Sequence, residues 1–224
     1  SDLGFYFTEN ISGLGLEQNA FIQEVMTNIE KQHIGTELGI EAQVTPTIKL
    51  KGAASMGQYT YHNNPNLYIT SDDLDGPISF GDGTTKLKNY HVAGGPERAY
   101  QLGIEYRDPK FWWVGLTTNY YSNTYLDINN LARSDNFSTD FDGQPFNNYD
   151  PEVAKELLKQ EKFDDYFLVN VIGGKSWKIK QYYVGFFASI NNALDQEYVT
   201  GGFEQGRKPS YRDLKEDKLL EYGP

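Results

Sequence analysis

Apolar and polar side chains alternate residue by residue through several long segments of this chain. Between residues 33 and 44 every second side chain is apolar apart from Thr36, and the intervening positions are His, Gly, Glu or Gln. From Ala99 to Arg107, Tyr100, Leu102, Ile104 and Tyr106 alternate with mostly polar residues. Successive side chains of a β-strand point to opposite faces, whereas a helix would mix the two sets. The alternation predicts an all-β fold whose strands have one apolar face.

The predicted strands are long. Beyond the two segments above, strands are predicted at about 47–61, 110–126, 164–177 and 180–195, and the strand at 33–44 is expected to extend back towards Phe21. Strands of soluble proteins usually have about 5–6 residues, whereas a tilted membrane strand needs about 9–11. The lengths favour membrane strands.

Short and long connections alternate between these strands. Tight turns containing Pro are predicted at 44–47 and 107–110, and a third is expected around 176–180. The other connections are long and rich in Asn, Asp, Gly and Pro, at about 8–20, 62–96, 127–163 and 197–224. Short turns at one end and long loops at the other are typical of outer-membrane barrels.

Two local sequence patterns add detail to the predicted layout of strands and connections. Pro151–Lys162 is predicted to form a short helix, with Asp150 as its N-cap and Pro at the first helical position. Glycines within the strands fall on their polar faces, at Gly35, Gly39, Gly103 and Gly115. Glycine in the interior of a strand weakens that strand. Its presence there is explained by curvature of the sheet or by close packing inside a barrel.

Composition narrows the functional classes. The chain has no Cys, which leaves no disulfide, thiolate metal site or thiol nucleophile. A net charge of −11 argues against binding of nucleic acid. Aromatic residues make up 15% of the chain, with 17 Tyr against 2 Met, as suits half-wet strands and membrane interfaces. No apolar run of about 18 residues is present.

One segment near the end resembles a known family. The chain reads Asn-Ala-Leu-Asp-Gln-Glu-Tyr from Asn192 to Tyr198, similar to the signature near the end of TonB-dependent receptor barrels. The preceding stretch, Tyr182–Asn191, resembles the strand that leads into it, and Thr200–Arg207 resembles the loop that follows in receptors of the Bacteroidetes type. The hairpin at Tyr100–Tyr125 fits the same family.

The resemblance implies a fold, a location and partners. The fold would be an antiparallel transmembrane β-barrel of about 22 strands, with short periplasmic turns, long extracellular loops and a plug domain. The chain, residues 1–224, would supply part of the C-terminal barrel in the cell outer membrane, surrounded by lipid. It would take part in uptake of a siderophore, vitamin, glycan or peptide, powered by the TonB complex.

The chain is expected to be a fragment. It opens in mid-strand at Leu3–Phe7 without a signal peptide, and it stops at Tyr222–Pro224, before the aromatic-ended final strand of the family. The plug domain and the TonB-binding segment would lie upstream. Six or seven strands cannot close such a barrel, so exposed strand edges would favour oligomerisation or aggregation of the fragment alone.

No enzyme, cofactor or metal site is predicted. The acidic run Asp72–Gly76, with Asp82 beyond it, lacks the EF-hand spacing and is interpreted as a solvated loop, with calcium the less favoured alternative. The three histidines, His33, His62 and His91, are far apart in sequence, and this spacing argues against a zinc site. Glu37 and Glu41 would lie about 13–14 Å apart on one strand face, too far for a glycosidase pair.

Aromatic residues suggest two further roles. Trp112 and Trp113, with Phe111 and Tyr106, are predicted to form a periplasmic aromatic girdle, the alternative being ordinary core packing. The amide-rich loop at 119–149 is a weak candidate for ligand contact.

The rival to a membrane receptor is a secreted β-sandwich that binds carbohydrate through exposed aromatics. It does not explain the alternation of turns and loops or the terminal signature.

Overall fold

The computed structural model describes residues 2–9, 21–139, 143–206, 209–216, 218 and 220–222, with only the backbone course for 2–9 and Phe21. Strands account for 51% of the residues and helices for 10%, and the sheet pairing is antiparallel throughout, which confirms the all-β prediction. The predicted loop at 8–20 falls mostly outside the described residues.

Eleven strands and two α-helices are present in these ranges. The strands are β1 (Asp2–Glu9), β2 (Phe21–Ile29), β3 (Lys31–Gln43), β4 (Ile48–Tyr61), β5 (Asn66–Thr70), β6 (Arg98–Asp108), β7 (Trp112–Ser122), β8 (Tyr166–Ile179), β9 (Tyr182–Ile190), β10 (Gly202–Glu204) and β11 (Leu220–Tyr222). The helices are α1 (Pro151–Leu157) and α2 (Tyr211–Glu216), and two 3-10 turns lie at Leu131–Arg133 and Asp135–Phe137.

The main sheet has six strands in the order β3-β4-β6-β7-β8-β9, each paired with its neighbour along the sheet. These strands have 9 to 14 residues, so the prediction of long strands is confirmed. Among the described residues the sheet is open: β3 pairs only with β4, and β9 only with β8.

Three tight connections lie at one end of this sheet. The predicted turn at 44–47 is held by the Ile48 amide, which donates to Thr45 Oγ1 at 3.0 Å. The predicted turn at 107–110 is also present, and Phe111 takes a φ of 63° at its close. The third turn was predicted too early, around 176–180, because β8 continues to Ile179 and the chain reverses at 180–181. We call this end of the sheet the turn end, and the opposite end the loop end.

The strand at 33–44 was predicted to extend back towards Phe21. This prediction is wrong about the sheet to which the residues before 30 belong. The segment is extended, but β2 leaves the six-stranded sheet and pairs with β1 and β5. The chain bends where Asn28 takes a φ of 59°. Asn63 holds this bend, because its amide group donates to the Asn28 carbonyl at 2.7 Å and accepts from the Glu30 amide at 3.0 Å.

The long connections are not irregular loops. Their described residues form a packed layer over the loop end of the sheet, which we call the loop layer: β1, β2 and residues 62–97, 123–139, 143–165, 191–206, 209–216, 218 and 220–222. Its larger core contains Ile22, Met26, Ile29, Tyr61, Leu67, Ile69, Leu87, Ile128 and Leu131. A smaller core contains Ala132, Phe137, Ala154, Tyr211 and Leu214.

The predicted short helix lies in this layer. Asp150 caps α1 as expected, and its carboxylate accepts from the Glu152 amide at 2.9 Å. The helix ends at Leu157 rather than near Lys162. Ala154 is buried in the smaller core, so α1 packs through one face.

Candidate functional site

One face of the six-stranded sheet is apolar from edge to edge. The pairing register brings Ile104 opposite Leu50 and Leu116, and it continues in the same way across all six strands. We call this face the apolar band; it includes Ile34, Leu38, Ile40, Leu50, Leu102, Ile104, Val114, Leu116, Val171, Val184, Phe186 and Ile190.

The apolar band is exposed. Leu102 is 69% exposed, Phe186 66% and Ile34 63%. Exposed apolar residues are normal when scattered singly, but a contiguous face of this extent marks an interaction or membrane surface. Charged residues on this face stand only at its ends, with Arg98 at the loop end and Asp108 and Lys175 at the turn end.

Aromatic rings border the apolar band at both ends. At the turn end Tyr106 and Trp112 pack with ring centres 5.0 Å apart, and at the loop end Tyr100 and Tyr120 lie 6.1 Å apart. Trp112 and Tyr120 are eight residues apart on β7, about 27 Å along the strand. A tilt of about 40° would leave about 21 Å, comparable with the ~25 Å apolar band of outer-membrane barrels.

The opposite face is mostly polar, as the alternation predicts, although the exposed side chains of Ile172 and Phe187 also lie on it. Lys49 Nζ lies 2.7 Å from Glu41 Oε1, and the Gln101 side chain donates to Asn119 Oδ1 at 3.0 Å. The predicted glycines lie on this face, with Gly35 directly opposite Gly57 in the pairing register. The polar face is therefore suited to contact with water.

Trp113 departs from its predicted role in an aromatic girdle. It follows Trp112 on β7 and therefore points to the polar face, where its ring covers Gly174 on β8. A Cβ at Gly174 would lie 2.8 Å from Trp113 Nε1. Tyr59 covers Gly57 in the same way. These glycines make room for flat rings that lie along the polar face.

A cleft opens where the polar face meets the loop layer. It lies between the segment 161–166, the segment 196–199 and Tyr222, and encloses about 1100 Å³. Tyr121 and Tyr166 are neighbours across β7 and β8, with ring centres 5.0 Å apart. Tyr198 stacks on Tyr166 at 4.4 Å with an interplanar angle of 17°. We call this space the tyrosine cleft.

Carboxylates surround these rings. Tyr222 donates from its hydroxyl to Glu161 Oε1 at 2.8 Å, and this bond raises the pKa of Tyr222. Asp165 accepts from the Tyr120 hydroxyl at 2.6 Å and pairs with Lys162 at 3.1 Å. The hydrogen bond from Tyr120 is the larger reason that the pKa of Asp165 is lowered. Asp164 and Glu197 also line the cleft.

The metal-site candidates raised by the sequence are dispersed. Asp82 pairs with Lys86 at 2.5 Å and accepts from Thr84, and these bonds lower the pKa of Asp82 to about 2. His91 Nδ1 lies 2.8 Å from Glu97 Oε1, and its ring stacks on Tyr125 at 3.7 Å. In the part of the chain that the structure describes, no group of three or more His, Cys, Asp or Glu side chains is arranged to hold a metal ion.

Many of the described residues of the loop at 119–149 are buried. Leu126, Leu131 and Phe137 are buried in this segment, and Arg133 is 3% exposed. Tyr121, near its start, packs against Tyr166 beside the tyrosine cleft. Sequence reasoning missed the cleft because its three packed rings come from β7, β8 and the segment after β9. The Tyr at the end of the terminal signature was the one available signal.

Charge is divided between the sheet and the remainder of the chain. Residues 31–61, 98–122 and 166–190 carry nine Lys or Arg and four Asp or Glu, a balance of +5. The whole chain has 20 Lys or Arg and 31 Asp or Glu. The remainder therefore has eleven Lys or Arg and 27 Asp or Glu, a balance of −16. The acidity of the protein therefore resides outside the sheet.

No protein-family model and no curated protein matches this chain. Within the described ranges, no helix has both the length and the apolar character needed to cross a bilayer.

Proposed function

We propose that this chain is part of the C-terminal β-barrel of a TonB-dependent receptor of the Bacteroidetes type. In this proposal the six-stranded sheet is a section of a barrel of about 22 strands in the outer membrane. The turn end faces the periplasm and the loop layer faces outward. The receptor takes up a nutrient with energy from the TonB complex, and the chain performs no covalent chemistry.

The exposed apolar band is the observation that carries the proposal. In water, such a face would cost about 25 cal/mol for each Å² of apolar surface left uncovered, which is unfavourable across six strands. Against lipid tails the same face is satisfied. The aromatic rings at its two ends then lie at the two headgroup regions, where Tyr and Trp are enriched.

The open edges of the sheet support the same proposal. Unpaired strand edges have no viable place in hydrocarbon, because their amide and carbonyl groups would lack partners. The edges at β3 and β9 therefore require further strands, which a larger barrel provides. The polar face then lines a wet interior.

The terminal signature has a structural role that agrees with the resemblance. Asn192 accepts from the Gln196 amide at 3.0 Å, and its side-chain amide donates to the Gln196 carbonyl at 3.0 Å. These bonds close the turn after β9 and direct Tyr198 back onto Tyr166. Arg207, at the end of the resembling loop, lies outside the described residues.

The alternative of a carbohydrate-binding sandwich gains no specific support. A sandwich covers its apolar face with a second sheet about 10 Å away. Within the described ranges the two smaller sheets, β1-β2-β5 and β10-β11, belong to the loop layer, and the residues of the apolar band stay exposed apart from the half-buried Val171.

Single cysteine reporters test location and orientation together, because this chain has no cysteine of its own. Asp73→Cys introduces a thiol in the loop layer, and Lys180→Cys introduces one at the turn end. In intact cells producing the full-length protein, a membrane-impermeant maleimide is expected to label the first. The second should react only after the outer membrane is permeabilised. Recovery of the protein in a soluble fraction, or equal labelling at both sites, would overturn the proposal.

A further inference from the structure

We propose that the tyrosine cleft binds a cationic ligand that carries amine or guanidinium groups, such as a short basic peptide. The inference rests on the proposed function for its setting, since it places the cleft at the outer opening of the barrel. Aromatic rings, carboxylates and the distribution of charge around the cleft give it an affinity for cations.

The rings form a packed group. Tyr198 stacks on Tyr166 at 4.4 Å, and Tyr121 packs against Tyr166 with ring centres 5.0 Å apart and planes tilted by 35°. Each comes from a different segment of the chain, and the packing holds each ring against its neighbour. Tyr198 is 37% exposed, so the last ring of the stack is accessible from the cleft. The face of an aromatic ring is negative and attracts ammonium and guanidinium groups within about 6 Å.

Carboxylates make the cleft selective for the sign of a ligand's charge. Four carboxylates line it, at Glu161, Asp164, Asp165 and Glu197, together with the single ammonium of Lys162. The lining therefore has a balance of −3. Glu161 accepts from Tyr222, and Asp165 is engaged by Tyr120 and Lys162. Hydrogen bonds between charged groups are stronger than neutral ones, so a cationic ligand gains more here than a neutral one.

The net charge of the surrounding chain is negative, as is the charge of the residues that line the cleft. The part of the chain outside the sheet has a balance of −16, which attracts cations and repels anions at the surface where the cleft opens. This distribution also disfavours anionic nutrients such as negatively charged ferric chelates. The space of about 1100 Å³ is slightly larger than the roughly 300–1,000 Å³ of small-molecule sites and suits a ligand of several residues.

The test is a binding titration on the full-length protein purified in detergent. The probes are acetyl-Lys-Lys-Lys-amide, acetyl-Glu-Glu-Glu-amide and maltotriose. The basic peptide is expected to bind, with an affinity that falls when NaCl is raised from 20 to 300 mM, because exposed charge interactions are screened. The acidic peptide should not bind. Binding of maltotriose in preference to the basic peptide would overturn the cationic assignment.

Variants locate the binding site. Glu197→Gln is expected to weaken the basic peptide about fivefold, and Asp164→Asn by a similar factor, as loss of one exposed charge interaction predicts. Tyr198→Phe should leave affinity unchanged because the ring face is retained, whereas Tyr198→Ala should weaken it. Asp73→Asn removes an exposed carboxylate elsewhere in the loop layer and serves as the matched control. Equal affinities for Glu197→Gln and Asp73→Asn would contradict the assignment.

The outcome can be separated from that of the proposed function. Outer-membrane recovery without binding of the basic peptide defeats the ligand assignment alone. A soluble protein defeats the receptor proposal, whereas the titration still decides the chemistry of the cleft. Correct folding of each variant is checked by its unfolding temperature in the same detergent.

Discussion

Arg133 and Glu204 form a buried ion pair across 71 residues of sequence. Arg133 Nη2 donates to Glu204 Oε1 at 2.8 Å, and the two side chains are 1% and 5% exposed. The ring of Tyr90 lies 5.1 Å from the Arg133 guanidinium carbon. Three long connections, those after β4, β7 and β9, therefore meet at one guanidinium group. This contact helps to make the loop layer a single packed body.

Removing one partner of this pair is expected to destabilise the loop layer. Arg133→Met leaves the Glu204 carboxylate buried near Lys218 without its main partner, and breaking a buried pair in this way costs about 3–5 kcal/mol. Thermal unfolding and limited proteolysis in detergent measure the loss. The double variant Arg133→Met/Glu204→Leu should recover much of it, because no carboxylate remains buried at this position. A single variant as stable as the parent would show that the pair adds little.

Stability of the loop layer is expected to depend on Glu24. Glu24 is 4% exposed on β2, and burial raises its pKa from 4.5 to about 7. The folded state then binds the proton more tightly than the unfolded state, so the contribution of Glu24 to stability is greatest below pH 4.5 and is lost as pH rises through about 7. The full difference is about 3 kcal/mol at ~1.4 kcal/mol per pKa unit.

Glu24→Gln isolates this effect, because the amide does not ionise. The parent should lose local opening free energy between pH 5 and pH 8, as measured by hydrogen-exchange protection factors of the β2 amides. The variant should lose less. Asp127, whose pKa is also raised by burial, remains in both proteins and contributes equally. Parallel curves for the two proteins would show that Glu24 is not the source.

A charge in the apolar band should prevent assembly in the membrane. Leu102→Arg places a cation mid-band, where lipid makes it cost about 2–4 kcal/mol. In water, the same change at a residue 69% exposed would be nearly neutral. The yield of folded protein in the outer membrane measures the effect.

Gln101→Arg is the matched control on the polar face. It breaks the hydrogen bond to Asn119, at a cost of about 1 kcal/mol, but adds no charge to the lipid side. It should therefore assemble far better than Leu102→Arg. Similar yields for the two variants would contradict a membrane-facing apolar band.

Two glycines of the polar face should respond oppositely to the same change. A Cβ at Gly174 would lie 3.0 Å from the Phe186 carbonyl oxygen and closer still to Trp113, so Gly174→Ala should cost about 1–3 kcal/mol. Gly39→Ala meets no described atom within 4 Å and should stabilise β3 by about 0.5–1 kcal/mol. Urea unfolding in lipid vesicles compares them. Destabilisation by both would mean that glycine at these sites serves backbone shape rather than ring packing.

The strands of the main sheet were predictable because their signal is local. Alternation of side chains follows from the backbone geometry of each strand, and it needs no knowledge of the partner strand. The residues of β3, β6 and β7 were thus assigned to the correct faces, including the glycines of the polar face. Asp150 was predictable for the same reason, because a helix cap acts within three residues.

One prediction failed where a distant residue intervenes. Extended backbone continues into β2, but Asn63 bends the chain at Asn28 and β2 pairs in another sheet. The contact that bends the chain at Asn28 comes from a residue 35 positions away. The inclusion of Trp113 in the aromatic girdle failed for a local reason, because successive side chains of β7 point to opposite faces and only Trp112 borders the apolar band.

The sequence by itself determined the all-β class, the sidedness of each strand and the alternation of tight turns with long connections. Only the tertiary structure decided that the long connections pack into one layer, that Arg133 meets Glu204, and that Tyr121, Tyr166 and Tyr198 pack together beside a cleft. The reason is physical. Strand geometry is imposed residue by residue by the backbone, whereas a buried ion pair or a stack of rings exists only after chain segments far apart in sequence have been brought together.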